Sequence, residues 1–477
     1  MPLSNQLKNQ HLLWRAAFGP MAENINQIGD ISQKKLYHIL VKTSSKKPDP
    51  LNVASSAFDG LVKGIQDLGR MQKLTKDQKK ELRKQSVDDI KNLNLTWLNE
   101  MINSEAQLRE KMSLFWHGHF ACRVINIYFQ QQLLNVIREN ALGNFGDLLR
   151  EVSKSPAMLS FLNNQQNKKQ HPNENFAREV MELFTMGRGN YTEKDVREGA
   201  RAYTGWGFNL GGEFVERPFL HDTGTKTFLG KTGNFDGDDV IDIILEQKAT
   251  AKFITTKIYK YFVNEDIDND KIELLADGFY QGNYNIGKLM NEIFKSDWFY
   301  GEKNIGVRIK SPVELMVGMR RLIPMELEKP ETQLLFQRVL GQVLFYPPNV
   351  AGWPGGKSWI DSSSLMLRMR LPQIFTDADE FSVKPKDDDD QMMGREGVDK
   401  RPRKNQLQVT VDWDSVVKVF NDTPREILMQ KVNDFVLQTK DSINPNVLKK
   451  YIDNTSRDAF IKSAMVELMS TPEYQLC

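Results

Sequence analysis

The spacing of apolar residues along the chain predicts helices over most of its length. Between positions 75 and 103, apolar side chains return at mixed steps of three and four, the period of one helix face; they are Leu82, Ile90, Leu93, Leu95 and Leu98. An apolar and aromatic stretch from about 105 to about 140 predicts one long helix. Helical patterns resume after 238. We therefore expect a mainly α fold, a large multi-helix globular domain.

Residues that start and end helices predict a helical hairpin in the middle of the chain. Asn173 begins the first helix, and Gly187 and Gly189 end it, because glycine readily adopts the backbone that closes a helix. Thr192 followed by Asp195 resembles a capping box, so a second helix begins close behind. The connection of about four residues predicts that the two helices are antiparallel neighbours.

Two segments depart from the helical pattern. In 205–238 glycine is dense and Phe, Val and Thr alternate with polar residues, which indicates a β-hairpin or a long ordered loop. The segment YPPNVAGWPGGKSWID, at 346–361, is too rich in Pro, Gly and Trp for regular structure. Its aromatic and lysine side chains line a pocket, or Trp353 and Trp359 pin it as an ordered surface loop; both interpretations stay open.

The composition of one stretch suggests how the chain is divided. Residues 383–408 carry an acidic run and then a basic run with almost nothing to bury, which predicts a flexible charged linker or insert. We expect a main helical domain at 1–382, with its motif-rich core at about 105–240. A C-terminal helical segment at 409–477 is expected to pack on that domain.

Charge and hydrophobicity exclude several classes of protein. The net charge of +2, from 64 basic and 62 acidic residues, predicts no whole-protein attraction to nucleic acid. No apolar run approaches the roughly 20 residues of a membrane-spanning helix. The first twenty residues lack the pattern of a secretory signal, so we expect a cytoplasmic protein or one exported with a signalled partner. Cys122 and Cys477 form no disulfide framework, so a metal site would use histidine and carboxylate.

The six histidines include one pair in the form His-x-His, His117 and His119. Residues two apart on an α-helix point about 200° away from each other, so both imidazoles reach one ion only if Gly118 loosens the turn. One histidine as a ligand and the other as its support is an equally sensible arrangement. Two half-buried histidines hydrogen-bonded among aromatic residues is the simpler interpretation.

Carboxylates of the helical hairpin are the second source of candidate ligands. Glu182 lies one turn after Arg178 and Glu179 on the first helix, and Glu198 of the second helix faces them across the hairpin. Acidic side chains that project from neighbouring helices form carboxylate-rich metal sites. The alternative is that Arg178 forms simple ion pairs with its acidic neighbours.

The adjacent His221 and Asp222 can both be ligands, or Asp222 can act as a base. As a bare dipeptide they are a weak signal. The sequence contains no Gly-x-x-x-x-Gly-Lys-Ser/Thr, Gly-x-Gly-x-x-Gly, Gly-x-Ser-x-Gly or His-Glu-x-x-His motif. This absence argues against the common nucleotide-hydrolysing, dinucleotide-binding, serine-hydrolase and zinc-protease classes.

Seven motifs together resemble the bacterial domain-of-unknown-function family numbered eighteen hundred. They occur in the family's order from about residue 11 to about 475, and they are HLLWRAAFGP, LFWHGHF, HPNENFAREVMELFTMG, YTEKDVREGARAYTGW, HDTGTKTFLG, NVAGWPGG and LMSTPEYQ. The resemblance implies no agreed activity. Members of that family are often encoded beside proteins that look like alkaline phosphatases and sulfatases, which implies a possible partner of that kind.

The leading hypothesis from the sequence is a metal-dependent enzyme, most simply a hydrolase. The proposed ligands of a divalent zinc, manganese or iron ion are His117, His119, Glu182, Glu198 and His221. Asp222 or Glu179 would be the acid–base group, and Arg178 or Arg123 would bind an anion. The alternative is a non-catalytic helical partner or escort of the phosphatase-like neighbour, in which the same polar residues form a buried network.

Overall fold

The computed structural model describes residues 3–24, 28–54, 75–209, 211–376, 380–381, 405–406, 408–439 and 448–477. Helices dominate the described chain, so the predicted mainly α fold is confirmed. In chain order the α-helices are α1 Asn5–Ala16, α2 Gln33–Ser44, α3 Lys76–Asn103, α4 Gln107–His119, α5 Ile127–Asn140, α6 Phe145–Lys154, α7 Pro156–Phe161, α8 Glu174–Glu179, α9 Glu193–Ala202, α10 Gly237–Leu245, α11 Lys248–Phe262, α12 Asn269–Gln281, α13 Ile286–Phe294, α14 Pro312–Leu322, α15 Thr332–Leu340, α16 Ser362–Thr376, α17 Trp413–Val419, α18 Arg425–Val436 and α19 Arg457–Met469.

The strands of the described residues are short and form four separate antiparallel pairs. They are β1 Trp206–Phe208 with β2 Phe214–Glu216, β3 Lys226–Phe228 with β4 Lys231–Gly233, β5 Met325–Leu327 with β8 Val409–Val411, and β6 Glu380–Phe381 with β7 Asn405–Gln406. The first two pairs are hairpins within 205–238. The glycine-dense segment is therefore a pair of small β-hairpins, one of the two structures that its composition indicates.

Local capping signals in the sequence correctly mark two helix starts. Ser311 and Glu314 form a reciprocal capping box at α14, with Ser311 N donating to Glu314 Oε2 over 2.8 Å. Thr192 and Asp195 do the same at α9, where Thr192 N donates to Asp195 Oδ2 over 2.9 Å. Each box satisfies main-chain donors that a helix start otherwise leaves without partners.

The single long helix predicted for about 105–140 is wrong. The chain forms α4, leaves helical structure after His119, and begins α5 at Ile127. Asn126 starts the second helix, because its side chain accepts hydrogen bonds from Tyr128 N at 3.0 Å and Phe129 N at 3.4 Å. The apolar pattern is continuous across the break because the intervening Phe120, Ala121 and Cys122 are themselves buried.

The predicted hairpin of α8 and α9 is present, and its two helices pack against each other. The first helix does not end at Glu179 but continues as a π-helical turn, Val180–Thr185. Gly187 then adopts φ +76°, the left-handed backbone expected at a helix end. The connection covers 186–192 and is longer than the predicted four residues.

Helix α4 lies at the centre of the packing that positions the site. It contacts α1, α2, α3 and α5, and Met112 and Trp116 are completely buried. A large apolar core surrounds it, and a second cluster around Trp97 joins α3 to the start of α14. None of the helices in the described ranges is both long enough and apolar enough to span a membrane.

The described part of the C-terminal region contacts the rest of the chain through its strand and its helices. Strand β8 pairs with β5, and α19 packs on α16. The predicted linker at 383–408 lies mostly outside the described residues; 405–406 belong to β7, and 408 is also described. The division into a domain at 1–382 and a segment at 409–477 stays a prediction.

Candidate ligand-binding cavity

His117 and His119 lie in the last turn of α4 and face different surroundings, as the helical period predicts. His119 Nε2 lies 3.0 Å from the carbonyl oxygen of Phe184. A carbonyl oxygen only accepts, so Nε2 carries the proton and Nδ1 is the acceptor of a neutral ring. Lys257 Nζ lies 3.3 Å from that Nδ1. Burial and the Lys257 charge hold the pKa of His119 well below its ordinary value, which keeps the ring neutral.

Lys257 and His119 together satisfy the end of the π-helical turn. Lys257 Nζ donates to the carbonyl oxygen of Leu183 over 3.2 Å, beside the bond from His119 to Phe184. The last carbonyls of a helix have no partner within it and favour a cation nearby. Burial lowers the pKa of Lys257 to about 8.

His117 is hydrogen-bonded to the loop that follows α15. Its Nε2 accepts a hydrogen bond from Phe345 N over 3.2 Å, and its ring lies 5.0 Å from the Phe345 ring and 5.7 Å from the Trp353 ring. Burial lowers the pKa of His117 to about 3. A metal ion would need the lone pair of Nε2, and this lone pair already accepts the hydrogen bond from Phe345 N.

The carboxylates predicted on the hairpin are paired with arginine and tyrosine. Glu182 accepts from Arg188 Nε over 2.5 Å and from Tyr191 Oη over 2.6 Å. Arg178 donates to both carboxylate oxygens of Glu193 over 2.7 Å each. Arg178 also pairs with Glu174, at 3.3 Å, and its role as an anion-binding residue stays a prediction.

Arg201 brings two of the predicted residues together. It donates to Glu198 Oε2 over 2.9 Å and to Asp222 Oδ2 over 2.7 Å. Glu198 also accepts from Thr227 N over 3.0 Å, which fixes the β3 hairpin on α9. His221 is held by the backbone, because its Nδ1 donates to the carbonyl oxygen of Thr204 over 2.9 Å.

Glu179 and Arg123 are the two remaining predicted residues, and each has its own surroundings. Burial, and then the charge of Glu182, raise the pKa of Glu179 on the same helical turn. Arg123 lies over the ring of Tyr346 at 5.7 Å. Within the described ranges, no three His, Cys, Asp or Glu side chains are grouped so that they could hold a metal ion. The predicted metal site stays a prediction.

A cavity of about 810 Å³ opens on the other side of His119, between α4, α11, the start of α14 and the segment 351–359. Its basic side chains are Lys257, Lys260, Lys303, Arg308 and Lys357, and its acidic side chains are Glu265 and Asp266. Its aromatic side chains are Phe115, Tyr261, Trp353 and Trp359. Two of the five cations are paired with carboxylates outside the lining, Arg308 with Glu314 and Lys303 with Asp268. The other three, Lys257, Lys260 and Lys357, stand against Glu265 and Asp266, so the lining has a small excess of positive charge.

Close backbone contact sets the segment 351–359 against α4. Gly352 has φ +80°, and a Cβ at this position would lie 2.3 Å from the carbonyl oxygen of Gly118. No larger residue fits there without moving one of the two backbones. The glycine of His-x-His and the first glycine of GWPGG thus meet, and Trp353 reaches the cavity beside His119. The segment lines the cavity and also has Trp359 buried, so both interpretations of this segment stay open.

Sequence reasoning did not single out Lys257 and Arg308 as functional residues. Neither lies in a recognisable motif, and each reaches the cavity only because separate elements pack together. Arg308 alternates with Val307 and Ile309 just before the α14 cap, a pattern that marks no site. Nothing in the local pattern of α11 distinguishes Lys257 from its neighbouring lysines.

Comparisons with known proteins assign the chain to a family without assigning an activity. Neither the curated proteins nor the solved structures include one that matches it. Residues 11–476 match a family described as "Protein of unknown function (DUF1800)". Because this match covers nearly the whole chain, the protein belongs to the DUF1800 family.

Proposed function

We propose that the protein binds a small organic anion with a ring in the cavity beside His119. The observation that carries this proposal is the excess of cationic side chains around a concave space of about 810 Å³. Ligand sites are concave, mostly apolar and furnished with a few placed polar groups, and their volumes lie between roughly 300 and 1,000 Å³.

The aromatic side chains support a ring in the ligand. Trp353 is half-buried in the glycine-rich segment, and Tyr261 and Phe115 lie on α11 and α4. The rings of Tyr261 and Phe115 lie 5.2 Å apart, so they form one aromatic wall. A planar ligand gains contact area on such a wall, and each aromatic face also attracts a cation.

The distribution of charge supports an anion. Lys260, Lys303 and Lys357 are exposed, while Arg308 is buried. Lys303 shares its charge with Asp268, at 3.0 Å, and Arg308 shares its charge with Glu314, so these two contribute less than Lys260 and Lys357. Exposed cations attract an anion over roughly a Debye length, and this attraction weakens with salt.

Calorimetric titration with 4-nitrophenyl phosphate tests the proposal, because this probe carries a ring and a phosphate. We expect saturable binding at low ionic strength and about tenfold weaker binding in the double variant Lys260→Met, Lys357→Met. The matched control is Lys79→Met, Lys418→Met, which removes the same charge from exposed positions of α3 and α17. Equal affinity in the two double variants, or no binding by the parent protein, would contradict the proposal.

Two functions expected from the sequence stay predictions with tests of their own. Metal-dependent hydrolysis requires stoichiometric metal in protein purified without a histidine tag, and loss of that metal in His117→Ala and Glu198→Ala. Sub-stoichiometric metal in the parent protein would end that hypothesis. A role as escort of a phosphatase-like protein requires a stable complex on co-purification. Release of 4-nitrophenolate during the titration would favour a hydrolase.

A further inference from the structure

Arg308 and Gln342 are buried polar residues of the cavity lining, 5% and 6% exposed. Arg308 is held in two ways: Nη2 donates to Glu314 Oε1, and the guanidinium lies 4.8 Å from the centre of the Tyr261 ring. Its Nε is buried and has no hydrogen-bond partner within the described part of the chain. A buried donor without a partner is costly, so this atom indicates a missing acceptor.

Gln342 has a second donor among the buried residues of the lining. Its Oε1 accepts from Val313 N over 3.0 Å, and a main-chain N–H can only donate. The orientation of the amide is therefore determined, and Nε2 is its other end. This nitrogen has two hydrogens to donate, and no acceptor for them is found among the described residues.

The buried cations around Arg308 are linked through one carboxylate. Glu314 accepts from both Arg308 and Lys111, so one carboxylate serves two buried cations. Burial alone would raise the pKa of Glu314, but Arg308 and Lys111 hold it far below its ordinary value, so the carboxylate is charged. Burial lowers the pKa of Arg308, but the charges of Glu314 and Cys477 outweigh it and raise that pKa, so the guanidinium is charged and can donate its Nε–H to an anion.

We infer that Arg308 Nε and Gln342 Nε2 form an oxyanion subsite, which binds the carboxylate, sulfate or phosphate group of the ligand. The ligand then enters with its anionic group first, and its ring remains at the aromatic wall near Trp353. The exposed lysines attract the ligand from solution, and the subsite recognises its anionic group. This inference rests on the proposed function and specifies which chemical group the cavity recognises.

The test compares Gln342→Glu with Gln333→Glu by calorimetric titration. Gln342→Glu keeps the acceptor for Val313 N and replaces the donor with a carboxylate oxygen, which repels an anion. Gln333 is 2% exposed, does not line the cavity, and controls for a new carboxylate at a buried position. We expect about 10- to 100-fold weaker binding of 4-nitrophenyl phosphate in Gln342→Glu alone, the range for a lost charge-assisted hydrogen bond.

A second variant keeps the test decisive if Gln342→Glu unfolds. Arg308→Lys retains the positive charge beside Glu314 and removes Nε, and we expect the same direction of change. Parallel titrations with 4-nitrophenyl sulfate and 4-nitrobenzoate show which oxyanion the subsite prefers. Binding of neutral 4-nitrobenzyl alcohol should respond equally to Gln342→Glu and Gln333→Glu.

The outcomes separate the two proposals. If the parent protein binds the anionic probes, and Gln342→Glu and Arg308→Lys bind them as well as Gln333→Glu does, the subsite is wrong while the cavity remains a ligand site. If the parent protein binds none of the anionic probes, the proposed function fails and the subsite with it.

Discussion

At the residue scale, two histidines separated by one glycine stabilise different parts of the molecule. His119 and Lys257 satisfy the end of the π-helical turn. His117 supports Phe345, whose φ of +69° is rare for a bulky residue. Such strain persists only where the surroundings hold it, and the hydrogen bond from Phe345 N to His117 is one of those restraints.

His117→Gln should make the protein less sensitive to acid. The pKa of His117 is lowered to about 3, so between pH 6.5 and 3 the unfolded chain binds a proton that the folded chain does not. The free energy of unfolding then falls with falling pH, by roughly 1.4 kcal/mol per pH unit for this residue. Glutamine can accept from Phe345 N without titrating.

Urea unfolding at pH 7, 6, 5 and 4 measures this difference. We expect the parent protein to lose more stability than His117→Gln as the pH falls below about 6.5. The buried His11 and His119 also have lowered pKa values and are present in both proteins, so the difference isolates His117. Parallel pH profiles would show that this histidine is not kept neutral by the fold.

At the element scale, the cavity depends on close contact between the end of α4 and the glycine-rich segment. The carbonyl oxygen of Gly118 lies against Gly352, and Trp353 follows directly. His117 contacts the same tryptophan from the other side. The wall of the cavity is therefore determined by a backbone contact and not by a flexible side chain.

Gly352→Ala should destabilise the protein and weaken binding of 4-nitrophenyl phosphate. Its matched control is Gly189→Ala, since Gly189 has φ +85° but a Cβ there would meet no described atom within 4 Å. Gly189→Ala should lower the free energy of unfolding by only about 1–2 kcal/mol, the strain of a side chain on left-handed backbone. Gly352→Ala adds displacement of the Gly118 carbonyl and should cost several kcal/mol in total. Thermal unfolding and titration measure both effects, and equal losses would contradict the contact.

Helix starts could be predicted from the sequence where a cap lies three residues from its partner. The boxes at Ser311 and Thr192 are of this kind. The break between α4 and α5 could not, because Phe120 and its neighbours are as buried as the residues of the helices beside them. Apolar periodicity reports burial, and buried loop residues extend it across a break.

At the scale of the whole molecule, the ends of the described chain meet. Arg15 of α1 donates to the main-chain oxygen of Cys477 over 2.7 Å, and Arg308 N donates to the same oxygen over 3.1 Å. Lys310 Nζ, in the same segment, donates to the carbonyl oxygen of Tyr474 over 2.6 Å. The first helix, the region of Arg308 and the last residues therefore form one packed unit beside the cavity.

Replacement of residues 382–404 by about four Gly and Ser residues should leave the fold and the cavity intact. Phe381 and Asn405 stand opposite each other in the β6–β7 pair, so a short turn can join them. Closing a shorter loop costs less entropy, and we expect equal or slightly higher stability, by about 1 kcal/mol.

Thermal unfolding and probe titration check this expectation against a variant with the order of 382–404 scrambled. Both variants should match the parent protein within error in probe affinity. A loss of more than about 2 kcal/mol in the shortened protein would show that these residues contribute to the folded core.

The helical class, the capped helix starts and the family all follow from the order of residues alone, because they depend on positions close together in the chain and on long motifs in order. The separation of His117 from His119 also follows from it, through the helical period. The meeting of Gly118 with Gly352, and of Lys257, Arg308 and Trp353 around one space, came from the folded chain. Those contacts join elements far apart in the chain, and their positions follow from packing, which no local pattern of residues records.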